Sequence, residues 1–247
     1  MVVAEPLISV LLPTRGRPEA LCESVASLYE TAGDRSAFEI LYAVDDDDQV
    51  ATLQAWDQIV DDHGGRHRPK VFPQRHGYSN LHEYVNCLAG KSTGWDGPAG
   101  QWLMLWNDDA TMQTYGWDWQ IAKFPPRYIL DCWTNHPPLT CTFPIVPRAW
   151  VQAIGHFSLN AHCDTWWQLI GEWTHRLVRA DIDVQHNRFD MTGQNNDQTY
   201  EEGRVQHQTR SFYSAATAEL IRRDASVVMG LLEAQRNRRL QGRQDWE

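Results

Sequence analysis

The chain is poor in the features that would assign it at once. Nowhere in its 247 residues is there a run of about 18 apolar residues, so no segment is expected to span a bilayer. The start, Met1 to Pro6, carries Glu5 and lacks a basic stretch followed by a long apolar one, so no secretory signal is expected and the location is read as cytoplasmic. The five cysteines (Cys22, Cys87, Cys132, Cys141, Cys163) are odd in number and never spaced C-x-x-C. That argues against a disulfide framework and a cysteine zinc site, and for reduced thiols. Without a Walker loop or a G-x-G-x-x-G, neither an ordinary ATPase nor a dinucleotide enzyme fits. Positive charge is scarce: 22 Lys and Arg against 32 Asp and Glu give a formal net charge of −10. That disfavours a wide non-specific nucleic-acid surface, because neutralising phosphates takes Lys and Arg; a local basic groove is still allowed.

What is present is an ordinary soluble composition, 42% hydrophobic and 22% charged, in a chain long enough for one α/β domain. Twelve tryptophans stand out. Their large flat rings suit a core, and equally suit stacking on sugars or bases. Apolar strands are expected at 7–12, 38–44, 70–72 and 101–106. Between them, helices are expected from Pro18, over 50–60 and over 81–88. Strand alternating with helix implies a parallel sheet covered on both faces. Further strands are expected at 128–132 and 141–146, and a helix at 163–177, where Trp166, Trp167, Ile170, Trp173 and Leu177 fall at helical spacing. Residues 186–210 are polar and read as a long active-site loop. A terminal amphipathic helix is expected over 220–232.

Three consecutive strands end in polar clusters: Thr14-Arg15 with Arg17, then Asp45 to Asp48, then Asn107-Asp108-Asp109. The last is the most telling. It closes the apolar run Gln101-Trp102-Leu103-Met104-Leu105-Trp106, where two carboxylates are costly unless a cation or donor partners them. One such end is a turn, since Asn and Asp favour turns. Three on neighbouring parallel strands line up donors and acceptors along one rim, the arrangement that grips a nucleotide and its metal.

The opening Ile8-Ser9-Val10-Leu11-Leu12-Pro13-Thr14-Arg15-Gly16-Arg17, the acidic Val44-Asp45-Asp46-Asp47 and the strand closing in Asn107-Asp108-Asp109 resemble GT-A fold glycosyltransferases, family 2 above all. The resemblance continues through Phe143 to Arg148, Gly155-His156-Phe157 and His162 to Trp166, covering roughly residues 7–200. It implies a Rossmann-type, mostly parallel α/β sheet flanked by helices. The expected organisation is one domain over 1–247. Residues 7–110 form its nucleotide-sugar half, 111–210 its acceptor side and 211–247 a C-terminal helix and tail.

By position, the resemblance implies that Asp46 or Asp47 contacts the base or ribose, with Thr14, Arg15, Arg17, Asn80 and Asp108 in the same donor pocket. Asp109 is implied as metal ligand, joined by His186, for Mn²⁺ or Mg²⁺. The sequence reads Asn-Asp-Asp rather than Asp-x-Asp, which leaves the choice between Asp108 and Asp109 open. Asp164 stands at the position of the catalytic base, giving direct displacement with inversion; an N-cap is the structural alternative. Trp117, Trp119, Trp166 and Trp167 are candidates for stacking on a sugar or base. Asn195 to Tyr200 is read as a loop closing over the donor.

The implied donor is a nucleotide-sugar, UDP-linked for preference. The acceptor is a carbohydrate, a small molecule or a hydroxymethylated base in viral DNA, with Arg204, Arg210, Arg222-Arg223 and Arg236 to Arg243 as DNA contacts. A solvated helix face explains those arginines equally. Two other readings remain: a nucleotidyltransferase, opposed by a first loop with a single glycine, and a non-catalytic carbohydrate or nucleic-acid module, opposed by the strand-end carboxylates. No oligomeric state is implied.

Overall fold

The computed structural model describes residues 5–46, 48–72, 77–90, 95–135, 140–188, 192–193, 198–209 and 214–244. In β1 (Ile8–Pro13), period-two alternation sends Ile8, Val10 and Leu12 to one side and Leu11 to the other, all fully buried. α1 (Pro18–Thr31) returns over the first side, and β2 (Phe38–Asp45) repeats the split, Phe38, Ile40 and Tyr42 against Leu41 and Ala43. α2 (Gln49–His63), β3 (His67–Phe72) and α3 (Leu81–Ala89) follow, then β4 (Trp102–Leu105) and the short β5 (Ala110–Met112). α4 (Trp117–Ala122), β6 (Ile129–Thr134), β7 (Ile145–Pro147), α5 (Arg148–Ile154) and α6 (Cys163–Thr174) lead to β8 (Leu177–His186). Helices α7 (Gln198–Thr209) and α8 (Ala215–Gln244) complete the chain.

The eight strands form one sheet in the order β3-β2-β1-β4-β7-β6-β8-β5. β3, β2, β1 and β4 are parallel; β7 runs against β4 and β6, β6 and β8 are parallel, and β5 is antiparallel to β8. Strands buried on both faces need a layer on each side. One layer is α1, α2 and α4, through Val25, Leu28, Ile59, Trp117 and Ile121. The other is α3, α5, α6 and α8, through Val85, Leu88, Trp150, Ile170, Ile221 and Val228. The C-terminal ends of β1, β2, β4 and β8 consequently share one rim of the sheet.

The acceptor side departs from expectation. The strand expected at 141–146 shrinks to Ile145–Pro147, because residues 140–144 run without ladder pairing. The helix expected to reach Leu177 stops at Thr174, where His175 turns left-handed at φ 54°, and Leu177 starts β8 instead. The polar stretch 186–210 is not all loop: it begins at the end of β8, and Gln198–Thr209 is helical. The terminal helix is longer than 220–232, running Ala215–Gln244.

Candidate active site

The site starts at the loop after β1. Pro18 sits at the first turn of α1, where a missing N–H costs nothing. Gly16 adopts φ 67°, a conformation that favours glycine, and its N–H donates to Asp48 at 2.6 Å. This turn aims both flanking arginines at neighbouring strand ends. Arg15 Nε lies 3.4 Å from Asp45 Oδ2, while Arg17 Nη1 lies 3.1 Å from Asp108 Oδ1 and 3.3 Å from Asp109 Oδ2. The Thr14 hydroxyl donates to the other Asp108 oxygen at 2.8 Å.

His186 reaches the cluster from the end of β8. Its Nε2 is 3.0 Å from Asp109 Oδ1. Its backbone is pinned by Asn135, which accepts from the His186 N–H at 2.9 Å and donates to its carbonyl at 3.0 Å. The Phe143 ring meets the imidazole edge-on at 5.1 Å. So the predicted Thr14, Arg15, Arg17, Asp108, Asp109 and His186 do converge, with Asp164 facing them across one cleft of about 660 Å³.

Burial acts strongly on the two carboxylates. It pushes Asp108 up to about 6; the Arg17 guanidinium opposes this and Asp109 adds to it. Burial also works to raise Asp109, but the His186 hydrogen bond and charge, with Arg17, outweigh it and hold that carboxyl below its ordinary range. Of the two, Asp109 is the one whose ionised form the surroundings favour. Among the described residues no group of three or more His, Cys, Asp or Glu is spaced to hold a metal alone. Asp109 and His186 nevertheless fit as two ligands. Their facing atoms are 3.0 Å apart, the separation of two donors at right angles each about 2.1 Å from one ion. A carboxylate and an imidazole suit Mn²⁺ or Mg²⁺, with substrate phosphates taking further positions.

Asp164 is the second residue of α6; His162 holds the N-cap position and makes no side-chain cap bond. The Asp164 carboxylate accepts the Thr165 N–H at 2.7 Å and lines the cleft half-buried. The N-cap alternative is thereby set aside.

Other expectations need correction. Asp46 is exposed and its N–H is spent on Phe72, so it does not line the cleft; Asp45 does. Period two would have selected it, since Leu41, Ala43 and Asp45 share a face. Asp47 lies outside the described residues, as do Asn195 to Asp197. Asn80 ends the short 3-10 turn before α3, and this wall of the cleft is built by Gly77, Leu81 and Tyr84 instead. Tyr84 was missed: its hydroxyl donates to Asp45 Oδ1 at 2.5 Å, a strand-to-helix contact with no local sequence signal.

Three of the four candidate tryptophans are core. Trp117, Trp166 and Trp167 are each at most 1% exposed and cannot offer a ring face to a ligand. Trp119 is half-exposed, but it lies on Gly33, past the far end of α1, about 20 Å along that helix from the cleft. Of the arginines assigned to DNA, Arg204 lines the cleft and pairs with Glu201 at 2.8 Å. Arg222 lies over Trp173 at 5.4 Å, and Arg223 is 3.4 Å from Asp224. Arg236 is exposed, and Arg210 lies outside the described residues.

No protein-family model and no curated protein matches the chain. Solved structures do. S. aureus TarS 1–349 in complex with UDP superposes with a TM-score of 0.55 at 13% identity, over 85% of this chain and 73% of that one. The mannosyltransferase PcManGT from Pyrobaculum calidifontis, in complex with GDP-Man and Mn²⁺, gives 0.55 at 12% identity, over 94% and 76%. GalNAc-T7 with UDP, GalNAc and Mn²⁺ gives 0.58 at 12% identity, over 90% of this chain and 55% of that one. The fold is GT-A. Among the described residues no helix is long and apolar enough to cross a membrane.

Proposed function

We propose that the chain transfers a sugar from a nucleotide-sugar donor, UDP-linked for preference, to an acceptor hydroxyl, with inversion and with a divalent cation. One observation carries the reading. The Thr14–Arg17–Asp108–Asp109–His186 cluster and Asp164 face a single cleft on the rim where the parallel strands end. The GT-A neighbours bound to UDP, GDP-Man and Mn²⁺ support the donor class and the ion.

Asp45, fixed by Arg15 and Tyr84, is in place to orient the base or ribose, and Asp108 to accept from the ribose hydroxyls. Asp109 and His186 would hold the cation, which would offset charge on the departing diphosphate. Arg188 and Arg204 also line this cleft. Asp164 takes the acceptor proton as the new bond forms, and the Thr165 N–H holds one of its oxygens in place.

Thermal unfolding with UDP-sugars against nucleoside triphosphates, each with Mn²⁺ or EDTA, separates this reading from a nucleotidyltransferase. Stabilisation by UDP that needs Mn²⁺ also sets aside a non-catalytic module. Asp164→Asn is expected to lower transfer by about 10³-fold while nucleotide binding persists; wild-type turnover there would sink the assignment. A hydroxymethylated base in viral DNA, a carbohydrate and a small molecule remain the acceptor classes. Duplex binding at low salt that fades steeply as salt rises would select the first.

A further inference from the structure

Arg17 poses a problem of charge that the reading above does not resolve, and the inference here rests on that reading. One guanidinium nitrogen, Nη1, serves both carboxylates, at 3.1 Å and 3.3 Å, and the Arg17 side chain is only 11% exposed. Asp109 is fully engaged, with Oδ2 toward Arg17 and Oδ1 toward His186. A divalent ion on Asp109 and His186 would stand a few ångströms from that guanidinium, in a buried place where solvent screens little. The cation already in place and the incoming ion would compete for the charge of Asp109.

The donor supplies the way out. Arg17 lines the cleft, and a diphosphate offers a guanidinium paired oxygens in the geometry it binds best.

We propose that Arg17 is a resident counter-cation that competes with the divalent ion for Asp109 and is drawn off by the donor diphosphate, so that ion and donor bind as a coupled pair. Without the donor, Arg17 keeps the adjacent carboxylates paired and the ion affinity low. With the donor, the guanidinium moves to phosphate and Asp109 is released to the metal.

The test is a Mn²⁺ titration of the full chain by electron paramagnetic resonance, with and without UDP, on wild type, Arg17→Gln, Arg17→Lys and Arg17→Gln/Asp109→Asn, with thermal unfolding to confirm that each is folded. Arg17→Gln is expected to bind Mn²⁺ alone about tenfold tighter than wild type, and to gain correspondingly less from UDP. Arg17→Lys, which keeps the charge, is expected to stay as weak as wild type. The double variant is expected to lose the gained affinity, placing it at this site rather than on the acidic surface. Equal or weaker Mn²⁺ binding by Arg17→Gln overturns the proposal and makes Arg17 a brace for the carboxylates. Mn²⁺ binding by neither protein in the presence of bound UDP overturns it together with the cation reading, while the donor reading survives; failure to bind UDP removes all three.

Discussion

Two buried acidic clusters occupy opposite ends of the same sheet, and they are built differently. At the start of β2, Glu39 accepts from Ser9 Oγ at 2.5 Å, from the Ala99 N–H at 2.7 Å and from Arg68 Nη2 at 2.8 Å. Arg68 continues to the Gly97 carbonyl at 2.7 Å and lies over Trp95 at 5.0 Å. One negative charge there meets one positive charge and a set of neutral donors. At the other end, two adjacent carboxylates share one guanidinium, a threonine hydroxyl and a histidine, and they open on a cleft. The residue types are nearly the same. What differs is crowding: Glu39 is a single carboxylate with a guanidinium of its own, whereas Asp108 and Asp109 are adjacent carboxylates that share one. A carboxylate with its own guanidinium is suited to fastening a fold, and two that share one are suited to taking a further cation.

Breaking each cluster should separate activity from stability. Asp109→Asn is expected to cut transfer by about 10²–10³-fold, because charge on the leaving group loses its anchor. Its melting temperature should fall only modestly, since the ionised Asp109 gives up its pairing with His186 and Arg17 while one of two adjacent like charges is removed. Steady-state kinetics beside calorimetry checks both halves; a stability loss larger than the kinetic one would erase the contrast. Glu39→Ala should do the reverse, destabilising the fold by about 3 kcal/mol in denaturant titration while the folded fraction turns over at the wild-type rate.

The smallest effect concerns pH. Asp108 releases its proton near 3.8 in the unfolded chain and about 6 in the folded one, so the folded chain holds the proton more tightly between those values. Its contribution to stability is complete below about 3.8 and is lost as pH rises through about 6. Asp109, held below its ordinary range, acts in the opposite sense: its contribution is present at neutral pH and lost on acidification. Asp108→Asn should therefore remove the falling limb between these values and gain about 1 kcal/mol at neutral pH. Unfolding free energies measured across the range decide it.

The same division marks how far the sequence alone could be read. The donor half was legible because strands buried on both faces announce themselves, and parallel strands must bring Thr14, Arg17, Asp108 and Asp109 to one rim. Asp45 and Tyr84 were not, one hidden in a run of four aspartates and the other facing the site only through packing of α3. Tryptophan identity carried no information about its side: Trp117, Trp166 and Trp167 fall at helical positions that turn inward, while Trp119, two residues on, turns out. On the acceptor side, β8 alternates buried Ala180, Ile182 and Val184 with exposed Asp181 and Asp183, the period-two signature of a half-covered strand, legible in the sequence although it is not among the strands expected above. His186 was reachable by resemblance, not by pattern.

The Asp109–His186 contact joins residues 77 apart in sequence, and Thr14–Asp108 joins residues 94 apart. Contacts so distant form only after the intervening loops close, an entropic cost met late in folding. A chain still emerging during synthesis, with β1 to β4 made and β8 not yet out, would have most of its donor-side residues but no complete cluster. The capacity to bind donor and ion together should appear abruptly, once the last strand has found its neighbour, which makes ligand binding a probe of folding completed across the whole sheet.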